Sequence, residues 1–309
     1  MLNNYIIDYE ARIHTNEHEF LTTKQSTKYT KNSKNASPTI KETAMKIVND
    51  YHMHTKLSPC SGDQEATIEN FVRVLAGKGF KSICITDHYW TLPENIWENR
   101  PDFKGPLPET LKQILENKKM VESTEFPMKV LVGAEIETYS PDCIGGTLEL
   151  KEVLDVVLLP TDHFHLKSVI QQPDDHSFAG WGKHMMKFFI AGAKSRVGHV
   201  LAHPFVPMGE HNDKPREVLD TISDAEFFDA LSIANEYGNA IEINSGCLIE
   251  PIYYESLIRP FTIAKKAGCK FTVGSDTHRL ETLDRYDIIA QFCDECGITE
   301  DDFSDIMIR

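Results

Sequence analysis

The sequence has no long apolar run. No stretch of its 309 residues approaches the roughly 20 consecutive apolar residues that a membrane-spanning helix needs. Its first residues, MLNNYIIDYEARIH, have no basic patch followed by an apolar core, so no secretory signal is indicated. A cytoplasmic enzyme without a membrane partner is therefore the expectation.

Basic residues are scarce relative to acidic ones. Lysine and arginine total 32, aspartate and glutamate total 47, and the formal net charge is −15. A surface of this sign repels phosphate backbones, which argues against long nucleic acids as partners. Bound divalent cations would reverse the sign locally, so a small phosphorylated substrate remains compatible with the composition.

The cysteines follow no disulfide framework. There are seven of them, an odd number without regular spacing, at positions 60, 84, 143, 247, 269, 293 and 296. Reduced thiols in a cytosolic protein explain this distribution more simply than disulfides.

No internal repeat is evident, but the chain divides by composition. Residues 1–45 are rich in Asn, Thr, Lys and Ser and have no sustained apolar period, which predicts a flexible N-terminal extension. From Ile47 onward, short apolar runs alternate with helical patterns, as in βα units with a parallel sheet, so residues 46–309 are predicted to form one domain. The predicted strands are 47–51, 81–86, 129–135, 153–159, 197–202, 240–244 and 270–274. The predicted helices are 67–78, 109–122, 178–194, 224–237, 254–267 and 281–296.

Seven such units predict an α/β fold of the TIM-like (β/α)7 barrel type, with a doubly wound open sheet as the alternative. Each apolar run delivers a His, Asp or Glu at its carboxyl end, which is where active sites form in parallel α/β folds. The first run ends in His52 and His54, whose spacing of two places both imidazoles on one face of a strand. Neutral imidazoles that converge in this way are ready metal ligands.

These motifs, in this order, resemble the PHP (polymerase and histidinol phosphatase) family of metal-dependent phosphoesterases. They read DYHMHT, ITDH, GAEIE, LAHPF, EINSG and GSDTH in this chain. The resemblance implies a distorted seven-stranded barrel that holds two or three divalent ions at its mouth, with Glu135 as a bridging carboxylate. The implied metal ligands are His52, His54, His88, Glu135, His163, His203, Asp276 and His278. Imidazole and carboxylate together suit Zn, Mn or Fe better than Ca.

Two places depart from the family pattern. After Ser58 the family usually has an Asp or His, whereas here Cys60 stands at that spacing. Asp63 is the alternative ligand, and a buried Cys60 that binds no metal is the other possibility. After the fourth predicted strand, in the segment TDHFH, Asp162, His163 and His165 compete for one position, and His163 is the favoured ligand.

Three residues are candidates for direct catalytic roles. Asp276 is expected to accept the proton of the attacking water, with Asp87 as the alternative, and Arg279 to clamp a phosphate oxygen. The predicted reaction is hydrolysis of a small phosphomonoester by a metal-activated hydroxide, with histidinol phosphate, and hence histidine biosynthesis, as the first candidate. The alternatives are a phosphodiesterase or exonuclease acting on nucleotides or short oligonucleotides, and a non-catalytic regulatory module stabilised by metals. The sequence indicates no oligomeric state.

Overall fold

The computed structural model describes residues 45–58, 60–91 and 108–307. The strands are β1 (Asn49–Asp50), β2 (Ser82–Ile85), β3 (Lys129–Val132), β4 (Ala134–Glu135), β5 (Thr138–Ser140), β6 (Cys143–Ile144), β7 (Val157–Pro160), β8 (Val200–Ala202), β9 (Ala240–Asn244) and β10 (Lys270–Gly274). The predicted extension, residues 1–45, lies outside these residues except for Met45.

The helices lie between the strands. They are α1 (Ile68–Gly77), α2 (Pro108–Ser123), α3 (Leu150–Val153), α4 (Phe178–Ser195), α5 (Pro215–Leu219), α6 (Asp224–Glu236), α7 (Ser245–Leu248), α8 (Pro251–Lys266) and α9 (Asp287–Cys296). Local chemistry sets several boundaries. Thr67 caps α1 by accepting from the Asn70 amide, and Ser223 with Glu226 forms a capping box that starts α6. Gly297 ends α9 in the left-handed conformation at φ 70°. None of the helices described is long and apolar enough to cross a membrane.

The parallel strands are joined in a continuous order. One sheet has the order β1-β2-β3, and a second has the order β4-β7-β8-β9-β10. Only Gly133 separates β3 from β4. A Cβ atom added at Gly133 would overlap the Val156 carbonyl oxygen. The chain therefore passes from one sheet to the other at a position that only glycine fits.

The free edges of the two sheets also meet. Tyr51 N donates to Val273 O over 2.8 Å, and Met53 forms a parallel bridge with Thr277. These contacts join the end of the first strand to the last strand. With β3 and β4 counted as one interrupted strand, main-chain contacts connect seven neighbouring parallel strands of the described residues into a ring, as in a barrel.

The predicted α/β class with a parallel sheet is confirmed, and three local predictions need correction. The run 153–159 is not all strand, because α3 ends at Val153 and β7 begins only at Val157. The predicted helix 281–296 begins at Asp287, after a 3₁₀ turn at Leu280–Thr282. The antiparallel hairpin of β5 and β6 was not predicted.

The core lies inside the ring and beneath the helices. Strands β2, β7, β8 and β9 are buried along their whole length. Between α4 and the sheet, Trp181 packs edge-on against Phe164, with 5.3 Å between ring centroids. Strands that are buried on both sides leave only their ends for polar side chains, so the site must form there.

Candidate metal centre

The histidines and acids predicted at the strand ends lie together in the structure. His52 and His54 follow β1, His88 follows β2, and Glu135 is the last residue of β4. All four side chains are buried, with exposures from 0% to 8%. Burial of so many ionisable groups at one place is costly unless they are paired or bind a cation.

Glu135 is the centre of the cluster. Its Oε2 lies 3.4 Å from Nε2 of both His52 and His54, and 2.9 Å from Nδ1 of His88. Its Oε1 lies 3.2 Å from His203 Nε2 and 3.8 Å from His163 Nε2. One carboxylate therefore faces imidazoles on both sides, which is the arrangement expected of a bridging ligand.

Asp276 closes the cluster from β10. Its Oδ1 lies 3.3 Å from His54 Nε2 and 3.5 Å from His52 Nε2. Two of the predicted ligands hold unfavourable backbone conformations, with φ 56° at Asp276 and φ 30° at His203. Non-glycine residues rarely adopt positive φ, and such strain concentrates at functional sites.

A second layer of carboxylates holds three of the imidazoles from outside. Glu242 Oε1 lies 2.7 Å from His52 Nδ1, Asp162 Oδ1 lies 3.0 Å from His203 Nδ1, and Glu137 Oε2 lies 2.8 Å from His163 Nδ1. An ionised carboxylate can only accept, so each Nδ1 carries the proton. Each Nε2 then presents its lone pair to the centre, as in carboxylate–histidine–metal arrangements.

His54 is oriented by a hydroxyl rather than by a carboxylate. Ser58 Oγ donates to Asp87 Oδ1 over 2.7 Å and therefore accepts from His54 Nδ1 at 3.1 Å. The Nε2 atoms of His54 and His52 then face each other at 3.0 Å. Two lone pairs repel at this distance unless a cation or a proton lies between them, so the donor set fits a divalent metal ion.

The pKa shifts follow from the same arrangement. Burial lowers the pKa of His52, but Glu242, Asp276 and Glu135 outweigh it and hold that pKa well above the usual value. Burial and the positive charges of His278 and His88 lower the pKa of His54 well below its usual value. Protons and a divalent cation compete for the same inward lone pairs.

Among the residues that the structure describes, four overlapping groups of side chains place their ligand atoms within 4.8 Å of one another. They are His54, His88 and His278; His52, His203 and Glu242; His52, His54 and Glu135; and Glu135, His163 and His203. Glu135 belongs to two of them, and its two oxygens face different imidazoles. The side chains therefore offer more than one position for a divalent ion.

The residues of uncertain role can now be located. His163 faces Glu135, and His165 lies beside it, with 5.3 Å between ring centroids. Burial lowers the pKa of His165 to about 3, so this imidazole is neutral. The side chain of Asp162 faces His203 instead of the centre. These positions agree with the choice of His163 among the three residues.

Asp63 holds the backbone and does not face the cluster. Its Oδ1 accepts from Glu65 N over 2.9 Å, and its Oδ2 accepts from Leu280 N over 3.2 Å. Cys60 lies closer to the imidazoles, since its Sγ is 2.8 Å from His278 Nε2. Burial raises the pKa of the Cys60 thiol, but His278 and His88 outweigh burial and lower it to about 6.

The contacts of Asp87 do not support the expectation that it accepts a proton from water. Its Oδ1 accepts from Thr55 N and Ser58 Oγ, both at 2.7 Å, and its Oδ2 accepts from Thr55 Oγ1 at 2.8 Å. These bonds fill both oxygens and make Asp87 a support for Ser58, and through it for His54. Arg279 lies at the rim, partly exposed, and its guanidinium is 3.8 Å from Glu281.

The sequence did not predict that Glu137 and Asp162 would contact the imidazoles of His163 and His203. Glu242 is the first residue of the motif EINSG, and its side chain contacts His52. Glu137 is the last residue of the motif GAEIE. Its spacing of two from Glu135 was the available signal, although the chain turns into β5 directly after it.

The fold and the cluster define a class, an α/β enzyme with a metal centre at the carboxyl ends of parallel strands. The chain belongs to the PHP domain family, whose model matches residues 50–275. This confirms the family that the motifs predicted, and with it the class of metal-dependent phosphoesterase.

Two relatives agree with this assignment, and one solved structure has a similar fold. A probable phosphatase of Thermoanaerobacter sp. (strain X514) is 29% identical over 83% of this chain and 89% of its own length. A probable phosphatase of Aliivibrio fischeri (strain MJ11) is 24% identical over 83% of this chain and 88% of its own length. The fold is similar to that of histidinol phosphate phosphatase from Lactococcus lactis, solved with zinc, L-histidinol and phosphate. That similarity has a TM-score of 0.52 and 16% identity, and it covers 81% of this chain and 94% of that chain.

Proposed function

We propose that this chain hydrolyses a small phosphomonoester at a centre of two or three divalent metal ions. The observation that carries the proposal is the convergence of inward-facing imidazole nitrogens on the single carboxylate of Glu135. The proposed ligands are the eight residues named from the motifs, and the proposed catalytic domain is residues 46–309. Zinc, manganese and iron are the candidate ions, because imidazole and carboxylate donors suit them.

The side chains divide the work between binding and orientation. Glu135, together with His163 and His203 on one side and His52 and His54 on the other, would hold the ions. When bound, such ions supply an activated water and neutralise the charge of a phosphoryl group. The centre would thereby attract a phosphate ester to a chain whose net charge is −15.

Two residues are proposed to act during the reaction, Asp276 on the attacking water and Arg279 on a phosphate oxygen. Asp276 keeps one carboxylate oxygen beside His52 and His54, and its side chain is 24% exposed, so it can reach both the centre and an arriving water. The imidazoles of His52 and His54 lower its pKa below the usual range despite burial, so it is ionised and can orient the attacking water by accepting a hydrogen bond from it. Arg279 at the rim is proposed to contact a phosphate oxygen, for which its pairing with Glu281 must loosen.

The direct test is an assay on the purified protein loaded in turn with Zn²⁺, Mn²⁺ or Fe²⁺. Hydrolysis of p-nitrophenyl phosphate, loss of that activity on chelation and recovery on metal addition are expected. Bis(p-nitrophenyl) phosphate is assayed in parallel, and a preference for this diester would replace the phosphomonoesterase proposal with a phosphodiesterase. Absence of turnover with every metal and both esters, in a protein that binds the metals, would favour a non-catalytic module.

Two variants test whether the activity depends on the cluster of histidines and acids. His52→Ala/His54→Ala removes two proposed ligands and should abolish both metal retention and turnover. His176→Ala is the matched control, because His176 is an exposed histidine whose imidazole contacts Glu210. If the double variant keeps its metal and its activity, the ligand assignment fails.

Histidinol phosphate is the first physiological ester to compare with other phosphomonoesters. The sequence resemblance suggests it, while the similarity to the Lactococcus lactis protein concerns the fold. A kcat/KM for histidinol phosphate no higher than that for generic sugar phosphates would remove it as the substrate.

A further inference from the structure

Cys60 contacts the imidazoles of the proposed metal centre through its sulfur. Its Sγ lies 2.8 Å from His278 Nε2, and the thiol also interacts with His88. Three of the buried cysteines have a different environment. Cys84, Cys269 and Cys296 each lie with their sulfur against a backbone carbonyl oxygen.

The imidazoles around Cys60 already form a group of possible ligands. Nitrogen atoms of His54, His88 and His278 lie within 4.8 Å of one another. The rings of His54 and His278 stack with 4.3 Å between centroids. His88 Nδ1 is buried and lies 2.9 Å from Glu135 Oε2, yet this contact does not have hydrogen-bond geometry. A nitrogen and a carboxylate oxygen that face each other without a hydrogen bond are suited to a shared cation.

The loop that carries Cys60 is fixed to the segment that carries His278. Ser61 Oγ donates to His278 O over 3.0 Å, and Leu280 N donates to Asp63 Oδ2 over 3.2 Å. These bonds from both sides of the loop hold Cys60 against His278. Asp63 is thereby occupied in positioning the loop, and Cys60 presents the donor atom nearest to the imidazole.

We propose that Cys60 is a thiolate ligand of a divalent cation held together with His88 and His278. This inference deepens the proposed function, because it adds a ligand to the same metal centre. A thiolate with imidazoles forms a sulfur–nitrogen site, which favours zinc or cobalt over magnesium or manganese. One position of the centre would then select soft divalent ions, while the positions around Glu135 combine nitrogen and oxygen donors.

The test is the electronic spectrum of the full chain loaded with Co²⁺. A thiolate bound to Co²⁺ gives a charge-transfer absorption in the near ultraviolet that nitrogen and oxygen ligands do not give. We expect this band in the wild type and in Cys143→Ser, and its loss in Cys60→Ser. Cys143 is the matched control, because it is also a free, partly exposed cysteine. A wild type that binds cobalt without the band, or a Cys60→Ser variant that retains it, would overturn the proposal.

A second measurement needs no variant. Iodoacetamide should alkylate Cys60 in protein stripped of metal, and added Zn²⁺ should prevent this modification, as read by mass spectrometry of the Cys60 peptide. Cys143 should react equally in both states. Equal alkylation of Cys60 with and without bound Zn²⁺ would contradict metal ligation by its sulfur.

Neither readout depends on turnover, so the two proposals can fail separately. A cobalt protein with the thiolate band but no phosphoester hydrolysis would retain the Cys60 ligand and reject the proposed function. An active phosphatase without the band would do the reverse.

Discussion

The Glu135 carboxylate is buried and lies close to several imidazoles. Its two oxygens contact five imidazoles, and the positive charges of His52 and His88 lower its pKa well below the usual value, although burial acts in the opposite direction. The carboxylate is therefore ionised at every physiological pH. A charge of this kind in the interior needs a cation close by.

Glu242 connects the two sides of the centre. It accepts from His52 Nδ1 with Oε1 and from the His203 amide with Oε2, both at 2.7 Å. In Glu242→Gln an NH₂ group replaces one acceptor and faces a donor. We expect metal affinity to fall about 10- to 100-fold, as measured by competition with a chromogenic chelator. Glu236→Gln, which changes an exposed acid at the end of α6, should leave the affinity unchanged.

For individual residues, the sequence predicts which side chains gather at the site better than it predicts what each of them does there. Two features of the sequence identified the residues that gather around Glu135. One is the spacing of two between His52 and His54, and the other is the His, Asp or Glu that follows each apolar run. Asp87 looked equivalent to them, because it also follows a strand. Its separate role depends on hydrogen bonds from Thr55 and Ser58, and these form only when the first two strand ends lie side by side.

At the scale of elements, the pairing of β9 and β10 leaves no room beside the site. An added Cβ at Gly274 would overlap Glu242 Oε1 and approach His52 Cβ to 2.5 Å. Gly274→Ala should therefore displace Glu242 from His52. We expect a loss of about 1–3 kcal/mol in the free energy of unfolding and weaker metal binding, measured by denaturant unfolding and by chelator competition. Unchanged metal affinity in a folded Gly274→Ala protein would contradict the close packing.

The capping box of α6 lies away from the metal centre and offers a contrasting case. Ser223 accepts from the Glu226 amide, and Glu226 accepts from the Ser223 amide. Ser223→Ala should cost about 1 kcal/mol of the free energy of unfolding and leave metal content unchanged. A loss of metal in this variant would show that the centre is sensitive to general destabilisation, and it would weaken the interpretation of the site variants.

Helices and most strands were predictable from periodicity, but the run 153–159 was not. A continuous apolar run does not show where its strand begins. The boundary is set by Asp155, which accepts from Val132 N over 2.9 Å and pairs with Lys118. Both partners lie more than 20 residues earlier in the chain, so a reading of the local sequence could not include them.

At the scale of the whole molecule, the ring of parallel strands brings residues from positions 52 to 278 to one mouth. Much of what surrounds this mouth is ionisable and buried, so a bound cation would stabilise the acids gathered there. The sequence predicted the order of the strands, whereas the contact of Tyr51 with Val273 that joins the ends is a long-range property. Metal binding and ring closure should therefore support each other.

Removal of metal should lower the stability of the whole domain. An ion that binds only the folded state stabilises it by about 4 kcal/mol at a thousand times its Kd. Calorimetry should show a lower Tm after chelation, and the Tm should recover with Zn²⁺. The His52→Ala/His54→Ala protein should gain less from added Zn²⁺ than the wild type, and an equal gain in both would indicate that the ions bind elsewhere.

The proposed function requires that side chains from separate βα units form one metal centre around Glu135. Anomalous diffraction at the zinc absorption edge, from crystals of the zinc-loaded protein, would locate the ions. Two or three peaks are expected, each about 2.0–2.3 Å from imidazole nitrogen, carboxylate oxygen or thiolate sulfur atoms of the cluster, with Glu135 shared between two of them. Fully loaded crystals with no peak beside Glu135, or with peaks only at surface histidines, would contradict the account.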